Sequence, residues 1–246
     1  MTMTHFGFRE VDSGEKQTLV NGVFDSVAQN YDLMNDVMSF GLHRLWKREA
    51  LALSLVRPKE RVLDLASGSG DLAQLFLKEI GPEGFLTLSD VNAAMLKTGR
   101  AKMENKGQFK NLRYAQINAE HLPFEAGSFD IVSIGFGLRN VPDQAQALKE
   151  MYRVLAPGGR AIILEFSKPH FQSLSKLYDL YSFHLLPKLG RWIAKDEASY
   201  QYLVESIRKH PDQETLGDMM KGAGFDQVKW FNLSGGIVAV HRGVKF

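Results

Sequence analysis

The stretch that decides the fold is "VLDLASGSGDLA", residues 62–73. An apolar run leads into a glycine-containing turn, and an amphipathic segment follows it. This order predicts a buried strand, a tight turn and a helix, in which backbone amides can approach a nucleotide. Gly68, Gly70 and Ala73 also satisfy G-x-G-x-x-G/A, a pattern of dinucleotide-binding turns. The stretch alone leaves open whether the turn binds NAD, another nucleotide-like ligand or no ligand.

Strand and helix patterns alternate downstream of this turn. The predicted strands are 61–66, 85–89, 112–117, 128–134 and 160–166, and the predicted helices are 70–80, 92–104, 142–155 and 213–222. Because parallel strands need helical crossovers, we expect an α/β fold with a Rossmann-like, doubly wound, seven-stranded sheet. Residues 227–233 and 237–242 flank a Ser-Gly-Gly turn and predict a C-terminal antiparallel pair in this mostly parallel sheet.

The chain is expected to divide into two parts. An N-terminal helical cap covers residues 1–57, of which residues 1–15 are polar and expected to be mobile. The α/β domain covers residues 58–246 and includes a helical lid insertion at about 168–210, rich in aromatic side chains.

Composition excludes several classes of protein. The 246 residues carry a formal net charge of +2, which gives no case for a nucleic-acid-binding protein. The absence of cysteine excludes disulfides, thiolate zinc sites and a cysteine nucleophile. No apolar run approaches the roughly 18–20 residues that span a bilayer, and no signal-peptide pattern is present, so we expect a cytoplasmic protein.

Polar residues follow the predicted strands at their carboxyl ends, where open α/β sheets bind ligands. Asp90 ends the second strand 20 residues beyond Gly70, a spacing that suits a carboxylate accepting both hydroxyls of a ribose. A helix N-cap is the alternative for Asp90, because a helix follows it. Asn118 and Ala119 follow the third strand and are placed to contact an adenine edge, although Asn is equally common in turns.

The fourth strand runs into "GFGLRN", residues 135–140. Glycines at a strand exit, followed by Arg139 and Asn140, lie where a reacting group would be placed. A salt bridge that merely fixes the loop is the alternative for Arg139.

Several longer segments carry a family resemblance. They are "YDLMNDVMSFGLHRLW" (31–46), "FGLRNV" (136–141), "RVLAPGGRAIILEFS" (153–167) and "HRGVKF" (241–246). With the glycine turn, they resemble the ubiquinone/menaquinone biosynthesis C-methyltransferase family, a branch of the class I S-adenosylmethionine-dependent methyltransferases. The resemblance runs from about Val11 to Phe246.

The resemblance implies an activity, a cofactor and a site. The activity is C-methylation of a polyprenylated quinol with S-adenosylmethionine: demethylmenaquinol to menaquinol, or 2-polyprenyl-6-methoxy-1,4-benzoquinol to its methylated product. The implied cofactor-binding residues are Asp64, Ser67, Gly68, Ser69, Gly70, Asp90, Asn118, Ala119 and Gly135. Ser67 and Gly135 depart from the family pattern, in which glycine and serine respectively are usual.

Quinol methylation requires activation of the nucleophile, because the ring carbon of a neutral quinol is a weak nucleophile until a phenolic proton is removed. Arg139 is the first candidate, since its permanent charge can lower the pKa of the quinol or hold a water that takes the proton. Asn140 can orient that water. Tyr31 and Asp32 of the cap are candidates to close the site, with a structural role equally open. The seven histidines show no metal-ligand spacing, so no metal is expected.

Residues 171–195 combine apolar and basic side chains. Their pattern suits transient contact with the inner face of a membrane, or a lid over a prenyl tail, and packing in the core or against a homodimer partner is the alternative. Two other functions stay open at this point. They are an NAD-dependent oxidoreductase, for which no Tyr-x-x-x-Lys pair is evident, and a non-catalytic scaffold of a quinone-synthesis complex.

Overall fold

The computed structural model describes residues 3–27, 33, 35–36, 39–169 and 197–246. Its strands are β1 (Met3–Phe6), β2 (Arg9–Asp12), β3 (Arg61–Leu65), β4 (Phe85–Asp90), β5 (Leu112–Gln116), β6 (Phe129–Gly135), β7 (Leu155–Phe166), β8 (Asp226–Leu233) and β9 (Val238–Val244). Its helices are α1 (Ser13–Val27), α2 (His43–Ser54), α3 (Asp71–Ile80), α4 (Ala93–Asn105), α5 (Gln144–Val154), α6 (Glu197–Lys209) and α7 (Gln213–Gly222).

Seven of these strands form one sheet in the order β5-β4-β3-β6-β7-β9-β8. Strands β3 to β7 pair in parallel, whereas β9 runs antiparallel to both β7 and β8. The predicted Rossmann-like sheet and its antiparallel end are therefore confirmed. The chain reverses its direction of winding between β3 and β6, which opens a crevice at their carboxyl ends.

Both faces of the sheet are buried, as a parallel sheet covered by helices requires. Val62 and Leu63, neighbours on β3, are fully buried in separate apolar clusters on opposite faces. Ile131 and Val132 on β6 divide in the same way. Strands of this kind are continuous apolar runs, which is why the sequence pattern located them well.

The N-terminal residues differ from the expectation. Residues 3–12 form the β1–β2 hairpin, which the sequence pattern did not predict. Thr4 donates a hydrogen bond to the Pro142 carbonyl at 3.1 Å, and the ring of Phe6 stacks on Tyr202 at 4.1 Å. The hairpin is held by residues more than a hundred positions away, which no local pattern could reveal.

The structure describes the predicted cap and lid in part. Helices α1 and α2 are present, as predicted for the cap. Most of the predicted lid at 168–210 lies outside the described residues, and α6 forms the described helical portion. None of the described helices is long and apolar enough to cross a membrane.

Helix α4 approaches the glycine turn closely at Gly99. A Cβ atom on Gly99 would lie 2.8 Å from the carbonyl oxygen of Gly68. Gly70 is similarly confined, because it has a φ of +80° and a Cβ there would lie 3.0 Å from Leu88. The position of the turn therefore depends on a glycine in a helix that the sequence pattern did not single out.

We predict opposite effects of the same substitution at two helical glycines. Gly99→Ala should lower the free energy of unfolding by about 1–3 kcal/mol, because the new methyl group overpacks against backbone. Gly22→Ala in α1 should raise it by about 0.5–1 kcal/mol, because nothing lies within 4 Å and alanine favours the helix. Urea denaturation measures both, and a Gly99→Ala protein as stable as the parent would contradict the close contact.

Candidate active site

Asp90 organises the turn between β3 and α3. Its Oδ2 accepts a hydrogen bond from the Gly68 amide at 2.9 Å, and its Oδ1 accepts one from the Asn92 amide at 2.9 Å. Burial raises the pKa of this carboxyl, and the two amides oppose the rise. The N-cap of α4 is Asn92, whose side chain accepts from the Met95 amide. The N-cap alternative for Asp90 was therefore wrong.

A largely apolar cleft, here called the cofactor cleft, runs beside this turn along the carboxyl ends of β3, β4 and β5. Four predicted cofactor residues line it: Gly68, Asp90, Asn118 and Ala119. Three side chains of α1 that were not predicted also line it: Gln17, Val20 and Phe24. Helix α1 thus forms one wall of the cleft, and the Asn92 side chain holds that helix in place by donating a hydrogen bond to Asp25 at 2.8 Å.

Asn118 forms a local turn. Its Oδ1 accepts from the Glu120 amide and its Nδ2 donates to the Glu120 carboxylate, both at 2.9 Å. Asn118 is therefore a turn residue, as the alternative interpretation predicted. It also lines the cofactor cleft, so its proposed contact with the cofactor stays a prediction.

A second, smaller pocket contains the remaining predicted cofactor residues except Gly70. It is lined by Asp64, Ser67, Ser69 and Gly135, together with Lys47 of α2. The Ser67 hydroxyl donates to the Ser89 carbonyl at 2.9 Å, so the family's usual glycine is replaced by a residue that ties β3 to β4.

Asp64 lies on the wall of this pocket and is 1% exposed. Its Oδ1 accepts from the Ser133 hydroxyl at 2.6 Å, whereas its Oδ2 has no hydrogen-bond partner among the described residues. Burial raises the pKa of Asp64 to about 7, although Ser133 and the nearby Lys47 act to lower it. A buried carboxylate oxygen without a donor fits a cationic or hydrogen-donating ligand group.

Arg139 lies in the short 3-10 turn Leu138–Asn140 after β6. Its Nη1 lies 2.7 Å from Glu165 and 2.6 Å from the Phe136 carbonyl. The Arg139 and Glu165 side chains are 5% and 2% exposed. The salt bridge that fixes the loop is thus present. The Nε atom of Arg139 is buried without a partner among the described residues, so one donor stays available.

Lys16 of α1 supports the same turn from the other side. Its ammonium group donates to the carbonyls of Val141 at 3.0 Å and Arg139 at 3.4 Å. Burial lowers the pKa of Lys16 to about 8, while Glu120 acts to raise it. Helix α1 and the turn are therefore joined by a buried lysine.

Asn140 connects the cofactor cleft with a third small pocket. Its Oδ1 accepts from the Tyr202 hydroxyl of α6 at 2.9 Å. Arg139 and Asn35 also line this pocket, which we call the reaction pocket. Tyr31 and Asp32, the other predicted catalytic residues, lie outside the described residues.

Sequence reasoning missed Glu165, Tyr202, Lys16 and Lys47. Only Glu165 carried a usable signal: a lone acid in the apolar run "AIILEF" of a strand buried on both faces needs a buried partner. The others approach the site from distant helices.

Comparisons with known proteins agree on one family. The family model described as the ubiE/COQ5 methyltransferase family matches residues 11–245. The ubiquinone/menaquinone biosynthesis C-methyltransferase UbiE of Pectobacterium atrosepticum is 58% identical over 241 residues, covering 98% of this chain and 96% of that protein.

Two solved structures share the fold. A SAM-dependent methyltransferase of Thermotoga maritima, described as a possible histamine N-methyltransferase, matches with a TM-score of 0.64 and 21% identity, covering 92% of this chain and 99% of that one. Phosphoethanolamine N-methyltransferase 2 of Haemonchus contortus, in complex with S-adenosyl-L-methionine, matches with a TM-score of 0.60 and 16% identity, covering 81% of this chain and 52% of that one.

The environment of Asp64 predicts proton release on cofactor binding. Near pH 7 the free carboxyl is partly protonated, and a cationic group beside Oδ2 would lower its pKa. We expect S-adenosylmethionine to displace about half a proton at pH 7 and to bind more tightly as the pH rises through that range. Calorimetry in buffers of different ionisation enthalpy measures the release.

Two variants test the origin of that proton. Asp64→Asn should abolish the release. Ser133→Ala should move it to higher pH, because the hydroxyl that lowers the pKa of Asp64 is gone. Unchanged proton release in Asp64→Asn would show that another group supplies it.

Proposed function

The chain belongs to the ubiE/COQ5 methyltransferase family, and from this premise we propose that it methylates a ring carbon of a polyprenylated quinol, using S-adenosylmethionine, in ubiquinone and/or menaquinone biosynthesis. The family match over residues 11–245 carries this conclusion. The products are menaquinol from demethylmenaquinol, or the methylated form of 2-polyprenyl-6-methoxy-1,4-benzoquinol. Nothing in the comparisons supports an NAD-dependent oxidoreductase or a non-catalytic scaffold.

The residues present fit the cofactor. S-adenosylmethionine, when bound, supplies an electrophilic methyl group on a sulfonium. We assign Asp90 to the ribose, because its carboxylate is fixed by two amides and lines the cofactor cleft. We assign the unpartnered oxygen of Asp64 to the amino group of the methionine part, with Ser67, Ser69 and Gly135 lining the same pocket.

The remaining cofactor residues have narrower roles. Asn118 and Ala119 are assigned to the adenine edge because both line the cofactor cleft. The Asn118 side chain is braced by Glu120, so its position is set before any ligand binds. Gly68 lets the backbone approach the ligand with a φ of +56°, and Gly70 shapes the turn by its confined packing.

Arg139 and Asn140 are the proposed catalytic residues. Glu165 compensates the charge of Arg139, so Arg139 acts through its unpartnered Nε–H rather than as a free cation. That donor can hold the quinol oxygen or a water that takes its proton. Asn140 is oriented by the Tyr202 hydroxyl and can position the same water. Burial raises the pKa of Tyr202, which keeps it a hydrogen-bond donor.

The division of the chain follows from these roles. The cap, residues 1–57, closes the cofactor cleft through α1 and contributes Asn35 to the reaction pocket. Tyr31 and Asp32 of the cap are proposed to complete the closure. The methyltransferase domain, residues 58–246, holds the cofactor, and its lid at about 168–210 is proposed to cover the prenyl tail.

Quinone profiling tests the proposed function. A strain lacking the gene should accumulate demethylmenaquinone, or the ubiquinone precursor without its ring methyl group, measured by mass spectrometry. A wild-type copy should restore the methylated quinone, whereas an Asp90→Asn copy should fail because the cofactor contact is weakened. Asp218→Asn is the matched control and should restore it, since Asp218 is exposed on α7, away from the cofactor cleft, and pairs with Lys221. Normal quinones in the deletion strain would refute the function.

We also propose transient contact with the inner face of the membrane, where a polyprenylated quinol would reside. The turn before α2 and the first turn of that helix support it, because Phe40, Leu42 and Leu45 are 76%, 39% and 53% exposed. Arg44 and Arg48 are exposed beside them. Apolar side chains flanked by cations suit an anionic lipid surface. Asn35, a few residues earlier, lines the reaction pocket, so this surface lies next to the site in the chain.

Vesicle binding tests this surface. The double variant Phe40→Ser/Leu45→Ser should bind phosphatidylglycerol vesicles at least about 100-fold more weakly, since two apolar side chains at about 1.5–3 kcal/mol each sum to about 3–6 kcal/mol and every ~1.4 kcal/mol is tenfold. Phe109→Ser is the control, because Phe109 is 67% exposed between α4 and β5. Equal losses in both would exclude a specific surface. A larger species in light scattering that the double variant abolishes would indicate instead a homodimer or a quinone-synthesis complex at this face.

A further inference from the structure

Methylating a quinol carbon replaces a ring hydrogen by a methyl group and releases one proton per turnover. That proton originates beside Arg139, which is 7% exposed and lies between Glu165 and Lys16. A continuous aqueous path is needed to carry it from such a buried place to solvent. This requirement rests on the proposed function.

A separate cavity of about 360 Å³ reaches Arg139 and is here called the back cavity. Its walls come from the β1–β2 hairpin, α1, the segment that follows the 138–140 turn, and the end of α6. Arg139 lines both the back cavity and the reaction pocket. His5 and Lys209, which also line the back cavity, are exposed, so the cavity opens to solvent at that end.

His210 lines the back cavity and is only 4% exposed. Neither ring nitrogen has a hydrogen-bond partner among the described residues. Two unsatisfied ring nitrogens in a buried site are costly unless water satisfies them. The volume of the cavity is sufficient for several water molecules, at about 30 Å³ each.

The surroundings keep His210 uncharged at neutral pH. Burial lowers the pKa of its imidazole to about 4, Glu165 of β7 acts to raise it, and three cationic or titratable neighbours act to lower it further. Those neighbours are Arg139 of the turn, His241 of β9 and Lys16 of α1. A neutral imidazole has one nitrogen that donates and one that accepts, as a proton relay needs.

We propose that the back cavity is the exit route for the proton released by methyl transfer, and that His210 relays it to solvent. The water held near Arg139 and Asn140 gives its extra proton to water in the cavity. The free nitrogen of His210 accepts that proton, and the other nitrogen gives its own to water nearer the mouth. Arg139 stays protonated throughout, and reversal of the imidazole tautomer through cavity water restores the starting state.

Chemical rescue provides the test. His210→Ala should lower kcat roughly 10–100-fold with little change in the KM of the quinol, because binding is untouched and proton transfer is slowed. Added imidazole should enter the enlarged cavity and restore much of kcat. The solvent deuterium isotope effect on kcat should be larger in the variant than in the wild type.

His241→Ala is the matched control. His241 is equally buried, but its Nε2 bonds to the Gln213 carbonyl at 2.8 Å and it does not line the back cavity. Loss of activity in this variant should show no rescue by imidazole. His210→Gln keeps a polar side chain of similar size and replaces His210→Ala in the test if the alanine variant is unstable. It should fold normally and have a similarly reduced kcat.

Two outcomes overturn the proposal. The first is an unchanged kcat in both His210 variants. The second is slow exchange of the His210 ring proton with water, measured by nitrogen-15 NMR of the wild-type protein. A water-filled route requires that this proton exchange fast, and faster than the ring proton of His241. The NMR result does not depend on methyl transfer. A wild-type protein that exchanges rapidly but methylates no quinol would contradict the proposed function instead.

Discussion

The buried ion pair between Arg139 and Glu165 is the constraint on which the site depends. Two charges this far from solvent are tolerated only when each has its partner and further hydrogen bonds. Glu165 meets that condition by also accepting from the backbone amides of Arg139 and Phe166. Its carboxylate therefore fixes both the side chain and the backbone of the 138–140 turn to the end of β7.

Other parts of the molecule attach to that fixed turn. Lys16 brings α1 to its carbonyls, and Tyr202 brings α6 to Asn140. The β1–β2 hairpin is attached to the turn through α6, because the ring of Phe6 stacks on Tyr202. A single pair at the carboxyl ends of β6 and β7 thus sets the positions of α1, the β1–β2 hairpin and α6 relative to the cofactor cleft.

The site is divided electrostatically around this turn. Toward the glycine turn lie two buried carboxylates, Asp64 and Asp90, whose pKa values are raised by burial and which suit the amino group and hydroxyls of the cofactor. On the other side lie a compensated guanidinium, a lysine and a neutral imidazole. Binding and proton removal are therefore assigned to opposite sides of the 138–140 turn.

The sequence by itself determined the sheet, the glycine turn, the family and the placement of Asp90 at the end of the second predicted strand, because buried parallel strands are continuous apolar runs and motif spacing is local. The tertiary structure alone decided how those residues are used. It showed Asn118 in a turn, Asn92 as the helix cap, and Glu165, Tyr202 and Lys16 around Arg139. The contacts around the 138–140 turn join residues that are 26 to 125 positions apart in the chain, whereas the bonds of Asn118 and Asn92 are local. Hydrogen bonding and burial at such separations depend on how the elements pack, which periodicity and spacing along the chain do not contain.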